Sequence, residues 1–206
     1  MTEREVPQRE RGCLVAIEGI DGSGKSTQAA LLAQALGAVL TRAPGGTDLG
    51  RALRSLLLDQ DRPLVGARAE ALLMVADRAQ HVEEVIEPAL SSGRSVVSDR
   101  FSGSTLAYQG YGRGLDVETL ASLVRWATGG LDADRYVLLD VPVEVTTARR
   151  VDGADRLEAL GAAFQLRVAD GFRALAAAQP ERWTVVDGTG SVEAVHAAVL
   201  AAVRIR

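Results

Sequence analysis

Gly19, Gly24, Lys25 and Ser26 occupy the fixed positions of G-x-x-x-x-G-K-[ST] within EGIDGSGKST, the stretch from Glu18 to Thr27. Glycines at Gly19, Gly22 and Gly24 permit unusual φ values and close backbone approach, so successive N–H groups can turn inward on an anion. A helix that opens directly after the loop adds its free donors and positive dipole end. Lys25 is then placed to reach the β- and γ-phosphates of ATP, and the Ser26 hydroxyl suits Mg2+. The ATP contacts expected from this loop are Gly19, Asp21, Gly22, Ser23, Gly24, Lys25, Ser26 and Thr27.

Two further clusters could join that chemistry. Asp99 and Arg100 follow an apolar run: the carboxylate could help hold Mg2+ or its water shell, and the guanidinium could fork onto phosphate oxygens. The stretch ARRVDGADRLE, Ala148 to Glu158, alternates Arg149, Arg150 and Arg156 with acidic residues around a glycine. It reads either as a solvated helix end laced with ion pairs or as a lid closing arginines over a transferring phosphoryl group. Its place between a strand and a long helix favours the lid, over about residues 149–157. Excluding water matters to a phosphoryl transfer, because an open site would hydrolyse ATP.

The elements that must position these residues alternate. Cys13–Ile17 is a short β-branched run, and Ala29, Leu31, Leu32, Ala35 and Leu36 fall at helical spacing after the loop. Further strands are expected at Gly37–Arg42, Ser95–Arg100, Arg135–Val141 and Arg182–Gly188. Leu49, Leu53, Leu56 and Leu57 share a face of a helix over Asp48–Asp59. A long helix is expected over Gly66–Leu90, disturbed near Pro88, and Ser191 suits the N-cap of a last helix. This alternation predicts an α/β fold with a parallel five-stranded sheet and helices on both faces. Ligands of such sheets gather beyond the carboxyl ends of the strands. The phosphate loop, TRAPGGT and DRF should therefore face one crevice.

Composition narrows the rest. With 206 residues, 47% hydrophobic and 24% charged, the chain fits one globular domain over residues 13–206 behind a loose charged tail, residues 1–12. A net charge of -4, from 23 basic and 27 acidic residues, gives no sign of broad nucleic-acid binding. Cys13 is the single cysteine, which excludes an internal disulfide and a cysteine zinc cluster; its apolar setting suits core more than nucleophile. No apolar run reaches membrane-spanning length and the first residues lack a secretory h-region, so the expected compartment is the cytoplasm. His81 and His196 sit in helical patterns and read as packing or surface residues rather than general bases.

EGIDGSGKST, TRAPGGT, LLMVADRAQHV, DRFSGSTLAYQGYGRGL, LLDVP and DRLE occur in an order and spacing that resembles the bacterial thymidylate kinase family, over nearly the whole chain from about Cys13. The DRF–STLAYQGYGRG block is the most specific part. The resemblance implies a P-loop NTPase-type fold, phosphorylation of dTMP to dTDP with Mg·ATP, and a homodimer packed through helices. It implies that Asp21 bonds the 3′-hydroxyl of dTMP and that Arg78 reaches the nucleotide monophosphate. It places Arg100 on the dTMP phosphate, Thr105 and Gln109 at the thymine edge, and Tyr108 against the 2′ position; Arg54 and Met74 join the substrate contacts. The loop has no basic residue between Asp21 and Lys25, and in the family lid arginines supply that charge. Arg149, Arg150 and Arg156 would thus act with Lys25 and Arg100 in catalysis, and Ser26 and Asp99 at the metal.

Two positions depart from the family pattern: Ala43 where Glu is usual, and Met74 where a Phe usually stacks on thymine. Both bear on base selectivity more than on reaction type. Two other readings stay open: a kinase of the same fold for another pyrimidine nucleotide or a deoxynucleoside, and a nucleotide-binding regulatory domain without transfer activity. The second predicts damage at Lys25, Asp99 or Arg100, and all three are intact. No N-K-x-D guanine reader is present.

Overall fold

The computed structural model describes residues 11–59, 65–149, 157 and 160–203. Five strands, β1 (Leu14–Glu18), β2 (Val39–Arg42), β3 (Val96–Asp99), β4 (Arg135–Asp140) and β5 (Trp183–Asp187), form one parallel sheet in the order β2-β3-β1-β4-β5. β1 lies at its centre, with Leu14 opposite Val96 on one side and Val15 opposite Arg135 on the other. All five strands lie within a residue or two of their expected limits; Cys13 and Arg100 fall just outside them.

A central parallel strand is covered on both faces, which is why β1 is apolar at every position except its last. Leu14 and Ala16 join a core with Phe101, Tyr136, Leu138 and Trp183. Helix α8 (Ala162–Ala178) adds Phe164, Val168 and Phe172 to that core. Val15 and Ile17 point the other way, into a second core with α1 (Lys25–Leu36) and α9 (Val192–Val203). Each buried Leu, Ile or Phe in these layers contributes roughly 1.5–3 kcal/mol. Ala194 N–H donates to Ser191 Oγ at 3.3 Å, the expected cap of α9.

Helix α2 (Asp48–Leu58) is capped by Thr47, whose hydroxyl accepts from Gly50 N–H. The long helix expected to Leu90 is α3 (Ala67–His81) followed by a π-helical turn, Val82–Ile86, and α4 (Glu87–Ser91). The disturbance precedes Pro88, whose ring would clash with the carbonyl four residues back; the wider π turn accommodates it. α5 (Ser102–Thr105) runs into a second π turn, Leu106–Gly112, before α6 (Val117–Ala127). A short α7 (Val143–Ala148) leads toward the segment expected as a lid, which apart from Arg149 and Leu157 lies outside the described residues.

Arg11 and Gly12, read as tail in the sequence, are tied down: Arg11 pairs with Asp134 at 2.9 Å and Gly12 N–H donates to Leu90 O at 3.0 Å. Cys13 is half-buried, and desolvation followed by the nearby Asp134 pushes its thiol up to about 11, consistent with a packing role. Among the described residues no helix is long and apolar enough to cross a membrane.

Candidate active site

The loop after β1 has the conformation its glycines allow. Gly19 (φ 143°) is compressed against β4, where a Cβ would lie 2.7 Å from Leu139 O, and Gly24 (φ 90°) caps α1 in the left-handed region. Ser23 is buried beneath the loop. Gly19 and Ser23 thus shape the cradle from below, while Gly22, Gly24, Lys25, Ser26 and Thr27 line an open depression together with Arg42, Asp99 and Arg149.

Lys25 is buried, and its ammonium donates to Ile20 O at 2.6 Å. Burial, reinforced by the Arg100 cation, pushes it down to about 8 against the pull of Asp21, Asp99 and Glu18. Ser26 Oγ donates to Asp99 Oδ2 at 2.5 Å, while Asp99 Oδ1 is buried without a hydrogen-bond partner. A hydroxyl beside an under-used carboxylate fits Mg2+, which takes few protein ligands and fills its sphere with phosphate oxygens and water. A closed set of three or more His, Cys, Asp or Glu ligands is absent among the described residues.

A second, more enclosed depression opens beside the first, and the two share Asp21, Ala43, Arg54 and Arg100. Arg100 sits at their junction with φ 74°, the one non-glycine residue with positive φ among those described. Its guanidinium donates to Gly19 O at 2.9 Å, Ser104 Oγ at 3.0 Å and Tyr108 Oη at 3.1 Å, and forms a short ion pair with Asp21. Tyr108 Oη donates to the other Asp21 oxygen at 2.7 Å. Burial alone would raise the Asp21 carboxyl, but Arg100, Lys25 and the Tyr108 bond hold it well below the usual carboxylate range. The negative charge inside an anion-binding loop is thereby neutralised by Arg100. The Tyr108 ring packs edge-on to Phe164 and Phe172 at 6.2 and 6.1 Å.

Deeper in the cavity lie Met74, Arg78, Thr105 and Gln109. Arg78 is 3% exposed and stacked 4.8 Å over Phe101. Its Nη2 donates to Phe101 O at 2.9 Å and Thr105 Oγ1 at 3.4 Å, whereas Nε and Nη1 are buried without partners. Burial pushes its pKa down, opposed by Asp77 and Glu18. Met74 both lines the cavity and joins the core. Arg54 Nη1 donates to Pro44 O at 3.3 Å on the rim.

Three buried acids support these residues, and the sequence reading assigned none of them. Glu18 accepts from Phe101 N–H at 2.9 Å, Ser104 N–H at 3.1 Å and Ser104 Oγ at 2.5 Å, fixing the turn that carries Arg100. Gly103 in that turn fits flush on Trp183: a Cβ there would lie 2.6 Å from the indole, which stacks on Tyr136 at 4.3 Å. Asp77 accepts from Gly45 N–H at 3.1 Å and holds the loop after β2. Glu70 accepts from Gln109 and Arg113. An acid that opens a strand–loop junction or faces inward in a helix's apolar pattern was the available signal. His81, 2.6 Å from Thr41 Oγ1 and pushed down to about 4 by burial and by Arg78, packs beneath the same loop and is no general base.

Arg149 lies over the first depression, its guanidinium donating to Gly188 O at 3.0 Å and Thr189 O at 3.2 Å. Arg150 and Arg156 lie outside the described residues. The remaining expected site residues, spread from β1 to the 106–112 turn, converge on the two joined depressions beyond the carboxyl ends of β1, β2 and β3.

Comparison with known proteins gives the same answer along the chain. A family profile described as thymidylate kinase matches residues 17–199. The thymidylate kinase of Geotalea uraniireducens (strain Rf4) is 44% identical over 208 residues, spanning 95% of this chain and 98% of the relative. That of Synechococcus sp. (strain CC9902) is 50% identical over 193 residues, with 88% and 91% covered. The crystal structure of thymidylate kinase from Ehrlichia chaffeensis superposes with a TM-score of 0.79 at 32% identity, covering 95% of this chain and all of that one. The family profile, the relatives and the solved structure agree: the chain belongs to the thymidylate kinase family.

Proposed function

We infer that the two depressions hold the donor and acceptor of one phosphoryl transfer, ATP over the 19–27 loop and dTMP in the more enclosed cavity. As a thymidylate kinase, the chain moves the γ-phosphoryl group of ATP onto dTMP, giving dTDP and ADP. The observation that carries the site assignment is the shared wall: Asp21 and Arg100 border both depressions, so a phosphate in each would meet at Arg100.

Little covalent chemistry falls to the protein in such a transfer; positioning and charge neutralisation dominate. Lys25 exchanges its bond to Ile20 O for phosphate oxygens, and backbone N–H groups of the loop hold the rest. Ser26 and Asp99 would hold Mg2+, and the ion would supply neutralising charge to the phosphates. Arg100, kept cationic by Asp21 although burial opposes it, anchors the dTMP phosphate. Asp21 retains lone pairs for the sugar hydroxyl, and Tyr108 walls the sugar.

Arg78 contacts Thr105 rather than Arg100. Its two idle donors therefore suit a base carbonyl, with Thr105 and Gln109 beside it and Met74 covering the ring. Arg149, Arg150 and Arg156 of a lid over about 149–157 complete the cationic surround, all within one kinase domain running from residue 13.

The test is ADP release with Mg·ATP against dTMP, dUMP, dCMP, CMP, UMP and AMP, for the intact chain and for Arg149→Ala, Arg150→Ala and Arg156→Ala. At least one lid variant should lose kcat with little change in the KM for dTMP; if none does, the cluster is a solvated helix end. A preference for another monophosphate would move the assignment to that nucleotide. We also propose a cytoplasmic homodimer paired through helices. It is supported by Leu72 (57% exposed) on α3 and Trp126 (81% exposed) on α6, two helices packed on one another. Light scattering of the intact protein and of Trp126→Asp decides the pairing.

A further inference from the structure

Glu70 stands in the first turn of α3 yet is 2% exposed, an unusual setting for a carboxylate. It turns inward to the 106–112 turn and the residue that follows it. Gln109 Nε2 donates to Glu70 Oε1 at 2.9 Å, and Arg113 donates through Nε at 3.1 Å and Nη2 at 2.6 Å. Arg113 in turn lies 5.5 Å over the Phe164 ring, so the carboxylate is held on a packed platform.

This arrangement decides which end of the Gln109 amide meets a ligand. A carboxylate paired with a guanidinium accepts hydrogen bonds and donates none, so only the NH2 end of Gln109 can face it. The carbonyl Oε1 is the end that remains. It accepts no hydrogen bond from any described residue, and Gln109 lines the cavity. A lone acceptor suits a pyrimidine whose N3 carries a proton, as thymine and uracil do. It opposes cytosine, whose N3 is itself an acceptor.

We propose that Glu70 is a positioning residue for base selectivity: by fixing the Gln109 amide through the Arg113-anchored bond, it sets the cavity to accept from N3–H and so excludes cytosine. The inference rests on the reading of Gln109 as a base-edge contact. It names a residue on another element, 39 positions away in sequence, that acts without touching the base.

Glu70→Gln tests it. An amide at position 70 can donate as well as accept, so Gln109 is free to turn its NH2 end toward the cavity, where it suits cytosine N3. The expected result is a fall in the ratio of kcat/KM for dTMP over dCMP on the order of tenfold, about one neutral hydrogen bond made or unmade. dUMP should fall in step with dTMP, and kcat with saturating dTMP should change little. If Glu70 only supports the fold, all three nucleotides lose together and the ratio holds; that result overturns the inference.

Gln109→Leu separates the underlying reading. An unchanged ratio in that variant removes Gln109 from the base edge, and the inference with it. A changed ratio in Gln109→Leu beside an unchanged one in Glu70→Gln overturns the role of Glu70 alone. Should Glu70→Gln fail to fold, Glu70→Asp keeps the charge but shortens the reach to Gln109, and the same loss of the dTMP-to-dCMP ratio is expected.

Discussion

The two depressions are built in opposite ways. The phosphate side is centred on one run of sequence: Gly22 and Gly24 to Thr27 supply one wall, and Arg42, Arg54, Asp99, Arg100 and Arg149 close it from other segments. That run is mostly glycine, serine and threonine, whose positions the turn itself sets. The nucleoside side draws Asp21, Met74, Arg78, Arg100, Thr105, Tyr108 and Gln109 from four separate segments, and several are fixed by a buried acid beneath them. A site made of backbone in a fixed turn needs few supports. One made of long side chains needs each rotamer held, and Glu18 and Glu70 do that here. Charge follows the same division: on the phosphate side Lys25 has a carbonyl to rest on, whereas Arg78 keeps two buried donors unpaired.

Lys25→Ala tests the phosphate side most severely. Its loss should lower kcat on the order of 10³-fold while circular dichroism and thermal unfolding stay native-like, because the ammonium faces ligand charge rather than core. Near-normal turnover in a folded Lys25→Ala protein would break the assignment of the loop.

Arg78→Met probes the nucleoside side. Removing two unpaired guanidinium donors should raise Tm, by about 2–4 °C for each kcal/mol recovered in a chain of this size. The same change should lower kcat/KM for dTMP by roughly 10- to 100-fold, the loss of a hydrogen bond to a charged donor. A more stable but poorer enzyme would show that the cavity stores stability for recognition. A less stable one would make Arg78 structural.

Acidity sharpens the contrast. Lys25, pushed down to about 8 by burial and by Arg100, loses its proton in the free protein as pH rises through that value. The kcat/KM for ATP should therefore decline above about pH 8, while kcat stays level there because bound phosphates hold the proton on Lys25. Parallel pH profiles of the two constants would contradict this.

The smallest effect is expected at Met74. Met74→Phe should lower the KM for dTMP a few-fold, since a ring restores stacking worth on the order of 1–3 kcal/mol and methionine already recovers part of it. Met74 is 9% exposed within the core, so the larger side chain should also cost some Tm. A Tm loss with unchanged nucleotide kinetics would make Met74 purely a packing residue.

The same division explains what could be read in the sequence. The loop from Gly19 to Thr27 was legible because its function needs particular residue types at adjacent positions. The strands were legible because parallel strands buried on both faces are short unbroken apolar runs, as in Val15–Ile17 and Val137–Leu139. The cavity residues came only through resemblance, since nothing in Thr105 or Gln109 alone states that they converge. Glu18 and Glu70 were legible only as oddly placed acids, one at a strand–loop junction and one facing inward in a helix. What they hold was not, because their partners lie 83 and 39 residues away. The π turns at Val82–Ile86 and Leu106–Gly112 were missed because their side-chain pattern stays close to that of an α-helix.

The fit of Gly103 against Trp183 has an optical consequence. The chain has two tryptophans, and their surroundings are opposite: Trp183 is 7% exposed beneath the turn that carries Arg100, and Trp126 is 81% exposed. Fluorescence from the buried indole should be blue-shifted and shielded from iodide, and should respond when a nucleotide moves that turn. Emission from Trp126 should be red-shifted and quenched in proportion to its freedom from a partner. One cuvette, with iodide added or withheld, thus separates two events in the native chain without any label: occupancy of the acceptor cavity and contact between subunits.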